Sequence, residues 1–392
     1  MDTALLNAAI HTDAGFVTGK ALLVSGGRIM GLIDPADAPA NAQRRDLGGG
    51  YLTPGFIDAQ VNGGGGAFFT DAPSVDKIAR IGAAHRAYGT TGFTPTLISD
   101  DLSTVETAIE ATRQAMAAGM PGLLGVHIEG PFLNSERKGI HDASKFRIID
   151  EAALGLLTSL KLGCTVVTLA PETTTPAMIR RLADAGVIVA AGHTNGDYAT
   201  IRAALDAGLS GFTHLFNAMS PLTSRAPGAV GAALDDPNCW CGLIVDGKHV
   251  DPVVLRIALK AKRHDRFMLV TDAMPSVGLT DKTFMLQGRR ITVQDGVCVD
   301  EKGTLAGSDL DMASAVRNTV SMLGLDLAEA VNLASRNPAE FLGLGHELGR
   351  IAPGYRADLV LLDDALNVTE TWINGLDTAA SEAQPAKGSA HG

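Results

Sequence analysis

Three residues in this chain could hold a divalent cation between them: a carboxylate, Glu129, and two imidazoles, His193 and His214. Each stands at the end of a short apolar run, in Val126-His127-Ile128-Glu129, Ala191-Gly192-His193-Thr194 and Thr213-His214-Leu215. One oxygen and two nitrogens form a set that binds a catalytic divalent metal and leaves a position open for water. A further carboxylate, Asp272, closes a fourth run, Val270-Thr271-Asp272. Beside an ion and its water, such a carboxylate can take a proton as the water attacks and return it to a leaving amine. Taken singly, each residue reads more simply as structural: a satisfied semi-buried histidine, a strand-end glutamate with a nearby donor, or an N-cap aspartate. Their joint placement at four strand ends is what points to metal-assisted hydrolysis. His127, two residues before Glu129, faces the same side but deeper and is read as structural.

The elements that must position these residues follow a strand-then-helix rhythm. Candidate strands are Gly55–Gln60, Gly92–Leu97, Gly122–Glu129, Thr165–Ala170, Val187–His193, Gly211–His214, Gly242–Asp246 and Phe267–Asp272. Several are near-continuous apolar runs, as parallel strands covered on both faces require. Eight strands at intervals of roughly thirty residues predict an α/β fold, a (β/α)8 TIM-like barrel with its active site at the C-terminal strand ends. Helix starts are expected at a Ser103/Glu106 capping box, at Asp197 and at Asp251-Pro252, the last turning Val254, Leu255 and Ala258 inward. An alternating stretch with Asp295-Gly296 predicts a β-hairpin inserted near 284–299.

Short strand-like runs also occupy both ends: Ala4–Ile10, Ala21–Val24 and Ile29–Ile33, then Asp358–Leu362 and Thr369–Ile373. They predict a small β-sandwich domain built from both chain termini, with 1–52 as its first part and 349–376 as its second. The catalytic barrel then spans 53–348, and the small, polar segment 377–392 is expected to be a disordered tail.

Composition narrows the function further. A formal net charge of −11 with no compensating basic stretch argues against nucleic acid as the partner. The sequence has no apolar run of spanning length and no basic, apolar leader at its start, so no membrane association is expected. Four scattered cysteines, Cys164, Cys239, Cys241 and Cys298, complete no zinc cluster and suit a reducing, cytoplasmic setting. The run Gly63–Gly66 lacks the lysine and hydroxyl of a nucleotide loop and reads as close packing or a mobile loop.

The chain resembles the amidohydrolase superfamily and, within it, the single-metal family that deacetylates N-acetylglucosamine 6-phosphate. The match covers about residues 1–375. It is carried by Pro54-Gly55-Phe56-Ile57-Asp58, Gln60-Val61-Asn62-Gly63, His127-Ile128-Glu129-Gly130-Pro131-Phe132, Lys138-Gly139-Ile140-His141, Gly192-His193-Thr194, His214-Leu215-Phe216-Asn217-Ala218-Met219, Asp246-Gly247-Lys248-His249, Thr271-Asp272-Ala273-Met274 and Leu305-Ala306-Gly307-Ser308. Many superfamily members hold a second metal on a His-x-His pair at the end of the first strand. Gln60 and Asn62 stand there in this chain, and neutral amides are poor ligands for a transition metal. Ile140 is a minor departure, bulkier than the family's usual residue.

The resemblance implies a fold, a reaction and roles. One divalent metal ion per subunit, zinc or iron(II), would sit on Glu129, His193 and His214. Water activated there would attack the acetamide carbonyl, yielding glucosamine 6-phosphate and acetate in amino-sugar catabolism and cell-wall sugar recycling. Asp272 would act as general base and then acid, and His141 would stabilise the developing oxyanion. Ile140, Asn217, Ala218, Leu305, Ala306 and Gly307 would bind substrate. Arg225 and His249 would reach the phosphate in a neighbouring subunit's site, implying a homodimer; without the resemblance both read as solvated loop residues. Alternatives are an amidohydrolase acting on another N-acetylated sugar, an N-acyl amino acid or a cyclic ureide. A metal-bearing barrel retained as a sensor is a further one, against which Asp272 speaks because a binding module needs no proton shuttle.

Overall fold

The computed structural model describes residues 2–377, so the tail expected at 377–392 lies outside the described residues except for Asp377. All eight expected strands form, as Phe56–Val61, Thr90–Ile98, Gly125–Glu129, Cys164–Leu169, Ile188–Ala191, Gly211–Phe212, Trp240–Leu243 and Phe267–Leu269. They pair in chain order in one parallel eight-stranded sheet. The seam between the eighth and first strands is closed by a Val61–Ala273 bridge and by the Asp272 N–H donating to the Gln60 carbonyl at 3.0 Å. The first two strands are buried along their whole length, as expected of apolar runs packed from both sides.

A helix follows each strand, and the last comes after an insertion. The helix Tyr198–Asp206 is capped by Asp197, and Pro252–Ala261 by Asp251. Three local expectations are corrected. The helix Leu102–Ala117 starts earlier than a Ser103/Glu106 capping box requires; Asp101 is its N-cap residue, and the Ser103 carbonyl already accepts a hydrogen bond from Thr107 within the helix. Val254 is 37% exposed, because only Leu255, Ala258 and Leu259 lie on the buried face of its helix. The run Ala4–Ile10 is two strands, Thr3–Leu6 and Ala9–Thr12, broken at Asn7 with φ 59° and entering different sheets.

The inserted hairpin exists and extends further than expected. Thr283–Leu286, Arg289–Gln294, Val297–Val299 and Leu305–Ser308 form a four-stranded antiparallel meander, with Asp295 and Gly296 both at positive φ in its turn. Both chain ends contribute to the sheets beside the barrel. Leu359–Leu362 pairs antiparallel with Tyr51–Pro54, which in turn pairs with Ala9–Thr12. Leu5, Ile10, Leu22 and Ile29 from one end pack with Ala357, Leu359, Leu361 and Trp372 from the other in a separate apolar cluster. In the Gly63–Gly66 run, Gly63 and Gly64 form a tight two-residue ladder against Ala67–Phe68, and Gly65 and Gly66 make the turn between them. A side chain at Gly63 would meet the Ala67 carbonyl at 2.5 Å, so close backbone packing is the correct reading of that run.

Candidate active site and metal centre

The strand ends bring Glu129, His193 and His214 together with their ligating atoms all within 4.8 Å of one another. Glu129 Oε1 lies 3.1 Å from His193 Nε2 and 3.0 Å from His214 Nε2, and the two nitrogens are 3.1 Å apart. His193 donates its Nδ1–H to the Arg137 carbonyl at 2.8 Å, which leaves a lone pair on Nε2. Electron-rich atoms this close repel one another unless a cation or proton lies among them. Burial works against a charged His214, yet the hydrogen bond and charge of Glu129 raise its proton affinity above the ordinary value. Glu129 is desolvated, but the imidazoles of His193 and His214 beside it hold its carboxyl well below the usual range. An ionised carboxylate facing two imidazole nitrogens is a donor set that fits a divalent ion.

Backbone strain marks the same place. His193, His214 and Asp272 have φ of 48°, 35° and 53°, in the left-handed region that ordinary side chains rarely adopt. Leaving the strand in this way turns each side chain into the mouth of the barrel.

Asp272 is held from one side. Its Oδ1 accepts from Asn62 Nδ2 at 2.7 Å and from Gln60 Nε2 at 3.1 Å, while Gln60 Nε2 also reaches Glu129 Oε2 at 3.1 Å. The two amides at the lost second-metal position therefore bind the two carboxylates. Burial, and then the negative charge of Glu129, push the Asp272 carboxyl above its ordinary range, which makes it a stronger base when ionised. His141 is buried with its Nε2 3.9 Å from Glu129 Oε1. Burial, and then the neighbouring His193, push its imidazole well below the usual histidine range.

These groups line a cavity of about 160 Å3 with Asn62, Ile140, Asn217, Ala218, His249, Met274, Leu305 and Gly307. A larger groove of about 1000 Å3 lies along the helix Leu102–Ala117 but contains no histidine and is far less suited to a metal reaction. Most expected substrate residues thus reach the cavity, and one of them is turned away from it. Ala306 is fully buried in the apolar cluster of the inserted sheet, because strand alternation turns it away from the face shared by Leu305 and Gly307. His249 lines the cavity of its own chain, its Nδ1 donating to Asp246 Oδ2 at 2.6 Å, so it is not a solvated loop histidine. Arg225 is absent from the cavity and sits in the exposed stretch 221–227.

The sequence reading assigned no role to Ser99 or Asp246. Ser99, at the end of the second strand, contacts His141; Asp246 orients His249, and burial of its carboxyl is outweighed by hydrogen bonding to that ring, which lowers its pKa. Asp246 was within reach, because it stands in the same Asp-Gly-Lys-His motif. His127 lies one layer below the site, where Nε2 is 2.7 Å from Thr168 Oγ1 and Nδ1 is 3.2 Å from Thr96 Oγ1, in accord with a structural role.

Comparison with known proteins agrees with this geometry. The amidohydrolase family model matches residues 51–376. The chain is 42% identical over 370 residues to the N-acetylgalactosamine-6-phosphate deacetylase of Shewanella sp. (strain ANA-3), covering 94% of each protein. It is 34% identical over 378 residues to the N-acetylglucosamine-6-phosphate deacetylase of Haemophilus influenzae, covering 96% of this chain and 99% of that one. The crystal structure of N-acetylglucosamine-6-phosphate deacetylase from Pasteurella multocida superposes with a TM-score of 0.92 at 37% identity, covering 96% of this chain and 99% of that one. With the barrel, the strand-end donor set and these relatives in agreement, the chain belongs to the amidohydrolase family.

Proposed function

We propose that this chain is a metal-dependent hydrolase that removes the acetyl group from an N-acetylated hexosamine 6-phosphate, with N-acetylglucosamine 6-phosphate as the first candidate. The observation that carries this reading is the Glu129–His193–His214 set facing a one-sidedly held Asp272 in the same cavity. A single zinc or iron(II) ion on the three ligands would supply Lewis acidity and lower the pKa of water. The chain's own groups do the rest. Asp272, with Oδ1 occupied by Asn62 and Gln60, keeps Oδ2 to take a proton from the attacking water. It returns that proton to the amine nitrogen as the C–N bond breaks, releasing the amino sugar phosphate and acetate. His141 donates to the carbonyl oxygen as negative charge develops there. Asn217, Ala218, His249, Leu305 and Gly307 enclose the sugar.

The lining contains no lysine or arginine to meet a phosphate dianion. Arg225 lies on an exposed loop with Leu222, and Val253 and Ile257 are exposed on the helix after His249, a combination that favours a homodimer in which Arg225 serves the neighbouring site. On that reading Arg225→Ala raises KM for the phosphorylated sugar about tenfold or more and leaves kcat within about twofold. Buried free thiols, and no helix long and apolar enough to cross a membrane among the described residues, accord with a cytoplasmic enzyme.

A second reading, that the galactosamine epimer is the preferred substrate, is favoured by the 42% identity to a protein named for that sugar. Free-amine release from both 6-phosphates and from N-acetylglucosamine, with metal-analysed protein and with chelator, tests the proposal and separates the epimers. Chelator-sensitive release from the phosphorylated sugars alone is expected. Equal release from the unphosphorylated sugar removes the phosphate assignment, and no release from any of them, with the ion present, overturns the function.

A further inference from the structure

His141 can stabilise an oxyanion only if the nitrogen facing the reaction carries a proton. A neutral imidazole places its single proton on either of two nitrogens, and what the other nitrogen contacts decides which. His141 Nδ1 lies 3.3 Å from the backbone nitrogen of Ser99, whose hydrogen points at it, and 2.7 Å from Ser99 Oγ. A backbone N–H can only donate, so Nδ1 must present a lone pair. The ring proton is then on Nε2, the atom 3.9 Å from Glu129 Oε1 on the metal-set side. The surroundings hold Ser99 for this task. It is fully buried at the end of the second strand, and a side chain at Gly130 (φ +87°) would lie 2.2 Å from its hydroxyl oxygen. Only glycine at 130 leaves that hydroxyl room beside the ring. The loop carrying His141 is fixed independently by the His141 N–H donating to the Lys138 carbonyl at 3.0 Å.

We propose that Ser99 is a positioning residue that holds His141 as the neutral Nε2–H tautomer and aims that N–H at the reacting carbonyl oxygen. The proposal rests on the role given to His141 in the function above and brings the end of the second strand into the machinery. Its test uses the metal-loaded full chain labelled with 15N at histidine, with the His141 resonances identified by their absence from a His141→Asn sample. Wild-type protein, without substrate, should show a protonated Nε2 and an unprotonated, hydrogen-bonded Nδ1 at His141. In Ser99→Ala the Nδ1 resonance should move downfield as it loses the hydroxyl donor, and kcat should fall about tenfold with KM within about twofold. A proton on Nδ1 of His141 in the wild type, or Ser99→Ala turnover within twofold of the wild type, overturns the proposal. The tautomer is read without substrate, so failure of the deacetylase reading shows separately, as absent turnover in the wild type.

Discussion

Two successive layers inside the barrel carry the same kinds of side chain and do different things. In the lower layer, Asp58 accepts from the Gln60 N–H at 3.1 Å and from Thr271 Oγ1 at 2.5 Å, while His127 is held between Thr96 and Thr168. In the upper layer, Glu129, His193 and His214 turn their lone pairs toward one another, and His214 Nδ1 has no partner among the described residues. Burial is nearly the same in both, at 0% and 2% exposure for Asp58 and His127 and 2–6% for the upper three. What separates a site from a structural network here is therefore hydrogen-bond accounting rather than residue type or depth. The lower layer is complete without an added group, whereas the upper layer needs a cation or a proton among its lone pairs.

The largest effect should follow a change in the upper layer. Glu129→Gln removes the anionic ligand, and metal analysis should find the ion lost together with at least about a thousandfold of turnover. A variant that kept both would break the distinction between layers. The amides that hold Asp272 come next. Asn62→Ala or Gln60→Ala should lower kcat about 10- to 100-fold while the ion is retained, because they orient the base and bind no metal. Steady-state kinetics on metal-analysed protein checks this.

The lower layer should reveal itself through stability. Burial pushes the Asp58 carboxyl up to about 7 despite its Thr271 hydrogen bond, and burial lowers the His127 imidazole to about 4. The Asp58 contribution is fully present below about pH 4 and is lost as pH rises through 7, on the order of 4 kcal/mol. His127 acts in the opposite sense: its contribution is present above about pH 6.5 and is lost as pH falls through 4. Thermal melts across pH 4–8 should show Asp58→Asn free of the loss on the alkaline side, and His127→Gln free of the loss on the acid side. Both variants should keep the ion and stay within about tenfold of wild-type turnover. Loss of the ion from His127→Gln would mean that the two layers act as one site.

The upper layer was legible in the sequence because carboxylates and imidazoles stand out after apolar strands, and eight such strands at even spacing dictate one mouth. Other features depended on partners distant in the chain. Ser99 acquires its role from His141, 42 residues later on a loop without periodicity. The inward direction of Ala306 depends on which face of the inserted sheet packs on Phe68 and Met274, a phase the short run Leu305–Ser308 does not declare. The break at Asn7 needs the knowledge that its two flanking strands join different sheets. At Asp101, two residues suited to capping compete within one turn, and the sequence alone does not rank them. His249 looked exposed because its motif is polar, whereas its ring is anchored by Asp246 against the cavity.

The central claim is that Asp272 moves protons beside an ion held by other residues, and Asp272→Asn tests it most directly. The substitution keeps the side chain's shape and its neighbours but removes the basic oxygen. The account predicts protein that still binds one divalent ion and melts close to the wild type, with amine release from N-acetylglucosamine 6-phosphate reduced by about a thousandfold or more. Turnover within tenfold of the wild type, with the ion in place, would contradict it.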